Sequence, residues 1–186
     1  NLVYSILGIY ATYRLGRIVY DRLTGIISGL IFMTSEAFLL YNMDVHTDLL
    51  LTSNIIFSVW QFAEYFKERK AINFFLGFAG IALAMLSKGF VGLIIPAITV
   101  GGYLLTKREL HTVFSLKWLG GLLLLIVLLI PGLLGLWNQF GFEGLKFYFW
   151  KNIIDRIRGD YSGGSHDYSF FFHTLLYIYL PWSFYA

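Results

Sequence analysis

Long apolar runs separated by short clusters of charge dominate this chain. Nearly continuous apolar stretches cover roughly residues 1–13, 23–41, 49–66, 72–87, 89–106, 118–137 and 169–186. A helix that crosses a bilayer needs about 20 such residues, within a range of about 17–25. The pattern predicts an all-α fold, a polytopic transmembrane helix bundle with about seven spans. The chain starts at Asn1 inside one apolar stretch and stops at Trp182-Ser183-Phe184-Tyr185-Ala186 inside another. Residues 1–186 are therefore expected to be part of one transmembrane domain of a longer protein. No basic segment followed by a cleavage site precedes the first stretch, so a signal peptide is not supported. Fixed-period repeats, low-complexity segments and a separate soluble domain are not expected.

Composition agrees with the pattern. The chain is 58% hydrophobic and 13% charged, with a mean hydropathy of +0.68, whereas a soluble domain carries about 25% charged residues. Its 18 phenylalanines and 13 tyrosines suit aromatic belts at membrane interfaces. The net charge of +3 is spread over short clusters, none long enough to hold a polyanion, so no nucleic-acid partner is expected. The absence of cysteine removes disulfides and thiolate metal sites.

Residues 72–106 can be drawn as one long kinked helix or as two short spans. Ser87-Lys88-Gly89 lies at the middle, and a charge followed by Gly suits a tight turn. Charge distribution decides between them. Nine of the 14 basic residues fall in three loops: Arg14, Arg17 and Arg22; Lys67, Arg69 and Lys70; Lys107, Arg108 and Lys117. Basic loops face the cytoplasm, and two spans put all three on that side. Asp44, His46, Asp48, Lys88 and the loop from Asn138 to Tyr168 then share the opposite, outer face.

Two aspartates and a histidine stand between apolar runs in Tyr41-Asn42-Met43-Asp44-Val45-His46-Thr47-Asp48, where ionisable groups are costly. Asp44 and Asp48 are four apart and would share a helical face. Such a pair can bind a cation, share a proton or orient a hydroxyl. Capping of the helix that starts near Leu49 carries about equal weight. Asp44, His46 and Asp48 together could hold a divalent cation, although no metal spacing marks them. Lys88 can hold a phosphate at headgroup depth or simply end a helix. Gly89 would let a backbone or ligand approach. The aromatic run Phe147 to Trp150 suggests a helix lying on the bilayer surface. Asp155-Arg156-Ile157-Arg158-Gly159-Asp160 follows, with two arginines suited to a phosphate or to local ion pairs. The loop from Tyr161 to Asp167 could close over a substrate. Glu36 lies inside the second stretch with no evident partner.

Four stretches, in this order, carry a resemblance. They are Asp44-Val45-His46-Thr47-Asp48-Leu49-Leu50-Leu51, Leu86-Ser87-Lys88-Gly89-Phe90-Val91-Gly92-Leu93, Asp155-Arg156-Ile157-Arg158-Gly159, and Phe172-His173-Thr174 running to Leu180-Pro181-Trp182-Ser183. With them the chain resembles the polyprenyl-phosphate-sugar glycosyltransferases of the GT-C fold. The nearest branch holds the dolichyl-phosphate-mannose–protein mannosyltransferases and the aminoarabinose transferases of lipid A. The resemblance implies an inverting transfer from an undecaprenyl- or dolichyl-phosphate-linked sugar to lipid A, a protein or another glycan. It implies a bacterial inner membrane with the active site facing the periplasm. Lys88, Arg156 and Arg158 would hold the lipid phosphate. Asp48, supported by Asp44, would shape the polar cavity. His46, His166 and His173 would line the substrate cavity, though relatives often carry Arg at the position of His46. The family's principal carboxylate lies in an outer loop ahead of the region matched here, so this stretch alone is expected to be inactive.

Two other functions fit the pattern. A transporter or flippase would place Glu36 on an internal water path. A non-catalytic assembly subunit would use the outer charges only as caps.

Overall fold

A computed structural model describes residues 2–43, 47–108, 112–113, 115–151 and 170–184. Every regular element among them is helical. In chain order they are α1 (Leu2–Val19), α2 (Arg22–Thr34), α3 (Glu36–Met43), α4 (Thr47–Glu68), α5 (Ala71–Lys88), α6 (Val91–Thr106), α7 (Leu116–Lys146), a π-helical turn (Phe147–Lys151), α8 (Phe170–Ile178) and a 3-10 turn (Trp182–Phe184). The all-α expectation holds. The expectation of seven spans is met less fully. Two of the described helices are long and apolar enough to cross a membrane, Ala71–Lys88 and Leu116–Phe149, while Arg22–Thr34 and Val91–Thr106 are apolar but shorter.

The apolar run 23–41 is not one helix. Asp21 caps α2, its carboxylate accepting from the Thr24 N–H at 2.7 Å. The Thr24 hydroxyl and N–H together hold the Asp21 carboxyl below the usual carboxylate range. The cap therefore supports α2 at neutral pH and is lost as pH falls through that lowered value. At the other end the helix stops at Ser35, whose backbone is extended. The Ser35 hydroxyl donates back to the Phe32 carbonyl at 2.9 Å, an interaction that competes with helical continuation. The C-terminal segment secures the break. The Glu36 N–H donates to the Leu180 carbonyl at 3.2 Å, and the Trp182 indole donates to the Thr34 hydroxyl at 2.8 Å. Glu36 also has a partner, since the Tyr177 hydroxyl hydrogen-bonds to it.

α4 is the central helix and packs against both α1 and α5. It buries Ser53, Asn54, Ser58, Gln61 and Glu64 along with its apolar residues, which keeps it outside the apolar span class despite its 22 residues. Small residues let its neighbours come close, as is common where helices associate in lipid. Ser53 faces Gly8 of α1, and Ser58 faces Gly80 of α5. The Ser58 hydroxyl donates to the Gly77 carbonyl at 2.9 Å. Phe62 of α4, Phe74 and Phe78 of α5 and Trp118 of α7 make an aromatic core where the three helices meet. α7 starts at Ser115 and extends well past 137, bending at Gly141, where φ is +61°.

α5 and α6 form the expected hairpin. α5 ends at Lys88, and Gly89 takes φ +63°, donating its N–H to the Met85 carbonyl at 2.7 Å. The left-handed region strains any residue with a Cβ. Gly92 then brings α6 against α5. A Cβ there would stand 2.5 Å from the Met85 nitrogen. Gly92→Ala is expected to lower stability by about 1–3 kcal/mol, because only a backbone shift relieves the clash. Gly101 lies in the same helix with nothing within 4 Å of its Cβ position. Gly101→Ala is expected to raise stability by about 0.5–1 kcal/mol. Thermal unfolding in detergent reads both, and equal effects would disprove the close approach.

Candidate functional site

Because α4 and α5 pack as antiparallel neighbours, the start of one meets the end of the other. Asp48 lies in the first turn of α4 and Lys88 in the last turn of α5. The Lys88 ammonium donates to the Asp48 carboxylate, and the two form an ion pair across 40 residues of chain. Their side chains are 27% and 30% exposed. The pair is thus screened less than a surface pair yet reachable by a ligand. Asp48 does not spend its charge on capping alone: its carboxylate spans two helices and fixes the lysine. A lysine ammonium has three donors, so the pairing leaves Lys88 able to hold a second anion.

The turn beyond Lys88 is clamped from above. The Tyr148 carbonyl lies 2.7 Å from where a Gly89 Cβ would stand. This is the close backbone approach expected of that glycine. The Tyr148 hydroxyl donates to the Met85 carbonyl, which also accepts from Gly89. Phe149 packs on Phe90 with ring centroids 5.0 Å apart. Within the aromatic run, Phe147 is 52% exposed. Tyr148 and Phe149 turn inward onto the hairpin, because the Gly141 bend redirects the end of α7.

Asp48 also reaches a cavity of about 630 Å³ between α1, α2, α3, α4 and α8. Ile31, Phe32, Phe38, Leu49 and Ile56 make its walls largely apolar, while Thr12, Ser28, Ser35 and Thr52 add hydroxyls. Among the described residues, Asp48 is its one charged lining residue. An apolar slot whose lining carboxylate is paired with a lysine ammonium suits an amphiphile with an anionic head and a hydrocarbon tail.

Of the expected site residues, the structure thus joins Asp48 and Lys88. His173 is exposed on the first half of α8, whereas the cavity meets that segment further along, at Ile178 and Tyr179. Asp44, His46, Arg156, Arg158 and His166 lie outside the described residues. Among the described residues, no three His, Asp or Glu side chains group to hold a metal ion. Glu36 sits at the α2–α3 break, hydrogen-bonded by the Tyr177 hydroxyl.

A second charged cluster was not foreseen. Near the opposite end of the bundle, Arg14 of α1 pairs with Glu64 of α4. Glu64 is 5% exposed. It also accepts from the Trp60 indole at 3.0 Å. Arg14 donates to the Tyr10 hydroxyl at 3.0 Å and lies over the Trp60 ring, 5.2 Å from its centroid. The signal available in the sequence was Glu64 itself, a carboxylate within the apolar run 49–66 that required a cationic partner.

The family model described as dolichyl-phosphate-mannose-protein mannosyltransferase matches residues 1–134. An uncharacterized protein of Aquifex aeolicus (strain VF5) is 30% identical over 129 residues, which is 67% of this chain and 26% of that protein. The chain therefore spans about a quarter of the length of this relative. No solved structure matches it.

Proposed function

The chain belongs to the dolichyl-phosphate-mannose–protein mannosyltransferase family of membrane glycosyltransferases, and on that premise we propose that it forms the carrier-lipid site of such an enzyme. The donor is a sugar linked to undecaprenyl or dolichyl phosphate. The acceptor is a hydroxyl of lipid A, a protein or another glycan. The acceptor oxygen forms a bond to the anomeric carbon with inversion, the bond to the phosphate oxygen breaks, and the acceptor proton passes to a base. The leaving phosphate then carries an additional negative charge that has to be stabilised.

The observation that carries this reading is the Asp48–Lys88 pair, whose carboxylate lines the apolar cavity. Lys88, held by Asp48, neutralises the phosphate together with Arg156 and Arg158, and the cavity takes the first part of the polyprenyl tail. Asp44 supports Asp48, and His46, His166 and His173 face the sugar or acceptor. A divalent cation would draw on Asp44, His46 and Asp48, and chelation by EDTA reads that element separately. In this reading the chain crosses the bacterial inner membrane about seven times, by α1, α2 with α3, α4, α5, α6, α7 and α8. The site then faces the periplasm and the basic loops the cytoplasm.

Donor binding by the complete protein tests the reading. Lys88→Ala and Arg156→Ala are each expected to weaken binding of polyprenyl phosphate by about tenfold or more, the loss of one charge-assisted contact. Unchanged binding in both would remove its main support.

A further inference from the structure

The basic end of the bundle carries a second groove, separate from the Asp48 cavity. It measures about 480 Å³ and runs between the last halves of α1, α4 and α6. Leu15, Val59, Ala63 and Val100 line it, and among the described residues Lys67 stands in its lining with no acidic side chain. Its volume lies within the roughly 300–1,000 Å³ of ligand pockets. All three helices end on this side. Arg17 lies in the last turn of α1, Lys67 in the last turn of α4, and Lys107 at the C-terminal cap of α6.

Among the described residues, positive charge at this rim is left over after local pairing. Glu68 is taken by Lys70 at 2.7 Å, and Glu64 by Arg14. Among the described residues no ion pair involves Lys67, which is exposed. The groove therefore offers an apolar slot under a cationic edge. A further apolar helix laid in the slot would leave that edge without a counter-charge. A lipid with an anionic head satisfies both halves. Basic pockets between membrane helices on the basic-loop side bind such head groups.

We propose that the α1–α4–α6 groove is a binding site for an anionic membrane phospholipid. Its phosphate meets the Lys67 ammonium, and one acyl chain lies along Val59, Ala63 and Val100. The site stands at the opposite end of the bundle from Lys88 and does not depend on the transfer reaction.

Native mass spectrometry of the complete protein tests this, with equal amounts of phosphatidylglycerol and phosphatidylcholine offered in detergent. The parent protein is expected to retain phosphatidylglycerol preferentially. Lys67→Ala is expected to lower that retention about fivefold, the effect of one basic side chain at an anionic surface, and Lys67→Arg to preserve it. Ala63→Phe fills the slot and is expected to displace both lipids. Lys67 is exposed, so its variants leave the fold intact. Equal retention of the two lipids by the parent, or no change in Lys67→Ala, overturns the proposal. So does protection of an Ala63→Cys thiol from a lipid-soluble maleimide in lipid-free micelles, which would show that another part of the protein covers the groove.

Discussion

Replacing Lys88 with alanine is expected to slow sugar transfer by roughly 10²–10³-fold, the usual cost of deleting one preorganised donor aimed at a developing anion. The ammonium sits at the end of α5 and is held by Asp48 before any ligand arrives. Little reorganisation is then needed when the phosphate leaves. The fold should survive the change. Asp48 keeps 30% of its side-chain exposure, so water can hydrate the freed carboxylate, and the Gly89 turn is held by backbone and Tyr148 contacts that do not involve Lys88. Asp48→Asn separates positioning from direct contact. Its amide oxygen still accepts from the ammonium but no longer carries charge, and a smaller loss of about tenfold is expected. Transfer of labelled sugar from a polyprenyl-phosphate donor by the complete protein measures both. A Lys88→Ala enzyme within twofold of the parent would refute the assignment.

Glu64→Ala is expected to lower stability by about 3 kcal/mol, the lower part of the roughly 3–5 kcal/mol lost when one partner of a buried ion pair is removed. Two losses coincide. Arg14 is left against Trp60 and Tyr10 without its counter-charge, and the Trp60 indole loses its acceptor. Arg14 retains 30% exposure, and hydration of the guanidinium holds the figure below the upper end. Glu64→Gln keeps an acceptor for Trp60 and should fall between alanine and the parent. The paired change Arg14→Met with Glu64→Leu removes both charges and is expected to return close to parental stability, since a well-packed apolar pair can replace a buried ionic one. Thermal unfolding in detergent measures the series. A single Glu64→Ala cost below about 1 kcal/mol would show that the pair contributes as a surface contact does.

Apolar run length and loop charge were enough to predict helices throughout and the α5–α6 turn. Ser87-Lys88-Gly89 was legible because a tight turn demands local chemistry, and Gly89 supplies it. The break at Ser35 was not legible. Its hydroxyl gave a weak local hint, but the contacts that secure it come from Leu180 and Trp182, far along the chain. The inward turn of Tyr148 and Phe149 was hidden for a similar reason, since it depends on a bend at Gly141 and on the hairpin it meets. At the site, Asp48 and Lys88 were each named, but their pairing arises from helix adjacency, which one sequence does not display. Glu64 was overlooked because helical periodicity absorbed it into an apolar run. Arg14, one of the basic residues of the first loop cluster in the sequence, lies within α1.

The polarity of α4 has a consequence for how the protein is made. Ser53, Asn54, Ser58, Gln61 and Glu64 are all buried in this one helix, and three of its side-chain oxygens have no hydrogen-bond partner among the described residues. A segment this polar gains little by partitioning into lipid alone, and each charge adds to the cost. In the proposed arrangement of about seven spans, α4 therefore has to integrate in company. α1 leaves the ribosome before α4 and brings Arg14 and Tyr10 to meet Glu64. α5 emerges directly afterwards and brings the Gly77 carbonyl for Ser58. The succession of helices along the chain thus gives α4 its main partners on both sides, α1 before it and α5 after it, in time as well as in space.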